Sequence, residues 1–127
     1  GGNWIILIKS ATNVLKGDNF VFVYPELLQN KTIVKKGEVI TSEILEKKDL
    51  DFENINSNIN TLLKKTTDKI KSRGSIVNEI TTKGDFIKKF RDSIKMNQKN
   101  KYLLEVVSLK DSKTAEAIIV ELNVTKL

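Results

Sequence analysis

Apolar residues along this chain follow two periods, and the switches between them mark its organisation. The first stretch is short, β-branched and strand-like. Residues 4–10 (WIILIKS) predict a buried strand, and residues 20–26 (FVFVYPE) predict a second, strongly aromatic one. Pro25 has no N–H, so that strand ends there or lies at an edge. Gly17-Asp18-Asn19 supply turn chemistry between the two. Residues 32–46 (TIVKKGEVITSEILE) read as strand, tight turn, strand. Gly37 can take the positive φ that a tight hairpin connection needs.

The period then lengthens. Phe52, Ile55, Ile59, Leu62, Leu63, Thr66 and Ile70 fall at steps of three and four, which predicts one buried face of a helix over 52–73. Asp49 or Asp51 can cap its start. Lys69, Lys71 and Arg73 suit its negative end, and Gly74 is a natural stop. Residues 75–80 (SIVNEI) suggest a short strand. Thr81 or Thr82 can cap a second helix over 83–97, buried through Phe86, Ile87, Phe90 and Ile94.

The last third returns to strands at 102–109 and 114–124, joined by the turn Lys110-Asp111-Ser112-Lys113. In the final strand Ile118, Val120, Leu122 and Val124 alternate with mostly polar or small residues, so one face is buried. The N-terminal strands can be laid over this closing pair. The expectation is an α+β fold: a mostly antiparallel sheet from N- and C-terminal hairpins, with two intervening helices packed on one face. A chain of 127 residues is most simply one domain, here 3–127, with Gly1-Gly2 reading as a cloning remnant.

Composition narrows the chemistry. There is no cysteine and no histidine. Disulfides, thiolate nucleophiles and histidine-based triads are therefore excluded, and the commonest transition-metal ligands are missing. No cofactor, catalytic or metal-binding residue is expected, and the chain is read as not an enzyme. The net charge is +6, with twelve Lys or Arg against four Asp or Glu between residues 64 and 101.

Lys64, Lys65, Lys69, Lys88, Lys89, Arg91 and Lys95 make up a candidate anion-binding surface. Its competing explanation is a solvated helix face. Base reading would want groove-facing Arg, Asn or Gln, and single-strand binding would want exposed aromatics. The acids Asp49, Asp51 and Glu53 could hold a hard cation, but helix starts collect acids to complement the dipole. Lys16-Gly17-Asp18 and Lys36-Gly37-Glu38 are turns, since strands and not helices follow them.

Two resemblances meet at residues 32–46, and the first covers nearly the whole chain. Asn13-Val14-Leu15-Lys16-Gly17-Asp18, the alternating run 20–24, and Asn30-Lys31-Thr32-Ile33-Val34 with Gly37-Glu38-Val39-Ile40 resemble the C-terminal domain of uncharacterised bacterial membrane-anchored coiled-coil proteins, a family of unknown function. That resemblance implies N-terminal membrane helices and a coiled-coil stalk ahead of this domain, and it carries no activity. Locally, residues 33–45 resemble the turn of SAF-type domains. This second match ends near Lys48, where a long helix begins.

The expected function is therefore a protein-interaction head of a larger membrane-anchored protein of the cell envelope, with an unidentified protein partner and a contact near the sheet edge at Tyr24 and Pro25. The alternative is a nucleic-acid-binding domain using the lysine-rich helices.

Overall fold

A computed structural model describes residues 4–12, 21–46, 50, 52–95 and 101–127. Gly1-Gly2, the turns around Gly17, the acids Asp49 and Asp51, Met96 and the loop 98–100 lie outside the described residues, as do the side chains of Glu53 and Lys95. The fold is α+β. The expectation of one domain over 3–127 meets a chain with two compact units, Gly1–Lys31 and Thr32–Leu127.

The first unit holds β1 (Trp4–Thr12) and β2 (Val21–Gln29), an antiparallel pair in unbroken register from Trp4↔Gln29 to Thr12↔Val21. β2 runs through Pro25, which a two-stranded sheet permits because each strand has a free edge. The expected buried strand at 4–10 is corrected. Trp4, Ile6 and Ile8 are exposed, because the pair forms a sheet of its own and does not join the C-terminal strands.

The second unit is built on a four-stranded sheet in the order β4-β6-β8-β5. Its strands are β4 (Val39–Glu46), β5 (Thr81–Thr82), β6 (Lys101–Ser108) and β8 (Ile119–Lys126). β4 and β8 flank β6 antiparallel, and β5 joins β8 in parallel. The helices α1 (Phe52–Ser72) and α2 (Phe86–Lys95) supply the opposing layer. Ile55, Ile59, Leu62, Thr66 and Ile70 of α1 and Phe86 and Phe90 of α2 meet Tyr102, Leu104, Val106, Val120 and Leu122 in one core. Phe90 and Tyr102 pack edge to face with centroids 6.0 Å apart.

Turn chemistry sets the boundaries. α1 ends in a Schellman motif: Ser75 N–H donates to the Ile70 carbonyl (3.2 Å) and Gly74 N–H to that of Lys71 (2.9 Å), with Gly74 at φ +106°. The cap of α2 is Asp85, whose Oδ1 accepts from Lys88 N–H at 3.1 Å. Thr81 and Thr82, the expected caps, lie in β5 instead, and no strand forms over 75–80. The strand expected from 114 begins only at Ile119, because residues 112–117 close on themselves. Ser112 Oγ donates to the Ala117 carbonyl (2.8 Å) and Glu116 N–H to that of Lys113 (3.0 Å).

The stretch 32–46 is corrected in pairing and not in shape. β3 (Thr32–Val34) and β4 stand either side of a turn, but β3 pairs with β7 (Ser112–Lys113) and β4 with β6. Glu38 N–H donates to the Lys35 carbonyl (3.0 Å) with Gly37 at φ +84°, the signature of a type II turn. Gly37 N–H then donates to the Ser108 carbonyl (2.7 Å) and Ser108 N–H to that of Glu38 (2.9 Å), a glycine bulge against β6. The turn thus hands the chain from one partner to another. Arg73 Nη1 locks it by donating to Glu38 Oε2 (2.5 Å) and the Ile33 carbonyl (3.1 Å). Lys36 N–H also donates to Asp111 Oδ1 at 2.7 Å.

Candidate functional site

An open cleft of about 350 Å³ lies between β4 and α1, lined by Val39, Ile40, Thr41, Ser42, Lys65 and Lys69. Its origin is legible in the helix spacing. The core stripe of α1 passes through Leu62, Thr66 and Ile70. Lys65 and Lys69 are each one position before a stripe residue and four apart, so they stack on one flank of the helix. That flank lies beside β4.

The strand contributes an irregularity. Between Val39 and Thr41 the register with β6 shifts, which makes Ile40 an extra residue in β4. The Ile40 side chain is buried, and its carbonyl accepts a hydrogen bond from Lys69 Nζ at 2.7 Å. One residue on, Thr41 Oγ1 and Thr66 Oγ1 are 2.5 Å apart. Thr66 spends its only proton on the Leu62 carbonyl (2.8 Å), so Thr41 is the donor between the two hydroxyls. α1 therefore runs alongside β4 in the opposite direction, with Lys69 at Ile40 and Thr66 at Thr41.

Two features give this cleft chemical character. β4 ends the sheet, with β6 as its ladder partner on one side, so its other row of backbone groups has no ladder partner among the described residues. Lys65 is exposed with no hydrogen-bond or ion-pair partner among them, and Lys69 uses one of its three donors. No acid is among the described residues that line the cleft. The site is thus a strand edge bordered by positive charge. Both lysine side chains are exposed, so the cleft presents them to solvent beside Thr41 and Ser42.

Of the seven expected basic residues, the structure brings only Lys65 and Lys69 to this cleft. Lys64 lies two positions from Leu62, roughly 200° around the helix, and faces solvent opposite the core. Lys88 and Lys89 are exposed on α2, Arg91 is half-buried, and the Lys95 side chain lies outside the described residues. Lys64, Lys65 and Lys69 thus belong to α1, and Lys88, Lys89 and Arg91 to α2. The edge at Tyr24 and Pro25 belongs to the separate β1–β2 sheet.

Thr41 and Ser42 were not singled out by the sequence. Reading 32–46 as a closed hairpin pairs the strand away, and the only hint of the free edge is the turn that redirects it. A second hollow of about 180 Å³ lies between α1 and α2, lined by Ile59, Asn60, Leu63, Thr82, Gly84, Asp85, Phe86 and Ile87. Among the described residues no three acids gather as a metal site, and no helix is long and apolar enough to cross a membrane. Comparison with known proteins adds no relative: no family model matches this chain, and neither a curated protein nor a solved structure matches it.

Proposed function

We propose that this chain is a non-enzymatic interaction module that takes an extended acidic segment of another protein as an added strand along β4. The observation that carries the reading is the free edge of β4 beside two lysines with donors to spare. In strand addition, main-chain hydrogen bonds supply affinity and every second side chain supplies selectivity. The spacing is apt. Lys65 and Lys69 are about 6 Å apart along the helix axis, and residues two apart on a strand are separated by roughly 6.7 Å. Acids at alternate positions of the incoming strand meet the two lysines in turn. The half-buried Glu43, on the core face of β4, has one carboxylate oxygen buried without a partner. Such an inward acid discourages pairing with an arbitrary strand.

Resemblance to the membrane-anchored coiled-coil family supports placing the module at the head of a larger cell-envelope protein. The nucleic-acid reading has less behind it, since only Lys65 and Lys69 of its seven basic residues line this cleft.

The test is fluorescence anisotropy of the whole chain with a labelled peptide as long as β4 that alternates Glu and Val, and with its Lys–Val counterpart. The acidic peptide binds, the basic one does not, and Lys65→Glu weakens binding about tenfold by turning an attraction into a repulsion. Lys65 is the right position because Lys69 also holds the Ile40 carbonyl. Equal binding of the two peptides, or a Lys65→Glu variant that binds as tightly as the parent, contradicts the proposal. Tight binding of short DNA with no peptide binding would favour the nucleic-acid reading.

A further inference from the structure

The second exposed feature is one face of the β1–β2 pair. Alternation along the strands and the rungs Trp4↔Gln29, Ile6↔Leu27 and Ile8↔Pro25 place Trp4, Ile6, Ile8, Pro25 and Leu27 on one face. Trp4 is 60% exposed, Ile6 66%, Ile8 61% and Leu27 59%. Single exposed apolar residues are ordinary, but a contiguous strip of this kind marks an interaction surface. We infer that this strip is a self-association surface, covered in solution by the same strip of a second copy of the chain.

Three observations select that occupant. The strip itself carries no charge, whereas the chain carries +6, so two copies meet where their mutual repulsion is least. The strip offers on the order of 500 Å² per copy, roughly 1,000 Å² across a symmetric pair, which reaches the lower bound of a specific interface. A two-stranded sheet is marginal in water by itself, and stacking two such sheets face to face adds a layer over this strip. The apolar strip lies on the face of the pair, and Pro25 interrupts the N–H row at the β2 edge. The contact is isologous, each strip meeting its own copy about a two-fold axis.

Trp4 is the only tryptophan in the chain and lies in the strip, so its emission reports burial there directly. Sedimentation velocity on the whole chain is expected to show a dimer, twice 14.4 kDa, that dissociates on dilution. Trp4 emission shifts to the red over the same concentration range. Ile6→Lys abolishes the dimer. Ile44→Lys, at an equally exposed apolar position on the open face of the four-stranded sheet, retains it, as does Lys65→Glu. A monomer at every concentration with red, dilution-independent emission overturns the inference, whether or not Trp4 then blue-shifts on neutral or anionic lipid vesicles. So does a dimer that survives Ile6→Lys or is lost in Ile44→Lys.

Discussion

Thr41 and Thr66 join the strand to the helix beneath the cleft, and replacing them with valine isolates that bond. Thr66 is fully buried and donates to the Leu62 carbonyl, while Thr41, half-buried at the cleft wall, donates to Thr66. Valine keeps the branched shape at both positions, so volume changes little. Thr66→Val leaves the Thr41 hydroxyl without its acceptor and is expected to cost about 1–1.5 kcal/mol, limited because the open cleft lets water reach Thr41. Thr41→Val costs less, about 0.5–1 kcal/mol, because Thr66 keeps its bond to Leu62. The double variant leaves no hydroxyl to satisfy and places two methyl groups in contact. It is expected to lie within about 0.5 kcal/mol of the parent. The coupling is thus on the order of 1 kcal/mol, of the sign expected for two hydroxyls that hydrogen-bond to each other. Urea denaturation followed by far-UV circular dichroism at the helix signal reads it cleanly, since both helices lie in the second unit. Losses that simply add in the double variant would refute the hydrogen-bond assignment.

Gly37→Ala meets no atom within 4 Å but must hold φ near +84°, so it should cost about 1–2 kcal/mol in the same assay, and Gly37→Asn clearly less. Phe90→Ala opens a cavity under Tyr102 and should cost about 3–5 kcal/mol; a loss near 1 kcal/mol would mean that the helical layer is not seated on the sheet as described. Arg73→Met breaks the bridge from α1 to Glu38 and Ile33, about 1 kcal/mol at this half-exposed site, and should speed hydrogen exchange at Gly37 and Glu38 before it affects the core.

The helical layer is legible in the sequence for a simple reason. The steps from Ile55 to Ile70 and from Phe86 to Phe90 are fixed by helix geometry and by one-sided burial, both of which are local. The closing strand is legible likewise, since Ile118, Val120 and Leu122 are the residues that reach the core. Pairing is not local. The turn at Lys36-Gly37 looks like a hairpin turn because it has hairpin chemistry, and only Ser108, some seventy positions away, diverts the two strands to separate partners.

The N-terminal run misleads in a related way. WIILI has the composition of a buried strand, yet Trp4, Ile6 and Ile8 are exposed, and composition alone does not distinguish the two. Of the basic residues, the helical spacing alone suffices to put Lys65 and Lys69 together. That their flank lies beside an edge strand follows from the order of the sheet, which no pattern in the chain spells out.

The occupancy of β4 is tested most directly by amide hydrogen exchange on the whole chain, with and without the alternating Glu–Val peptide. An added strand should slow exchange at alternate amides of β4 beyond Thr41, those directed away from β6, and leave the amides already bonded to β6 unchanged. Unchanged exchange along β4 at saturating peptide, or protection confined to the α2 surface, would contradict strand addition at this edge.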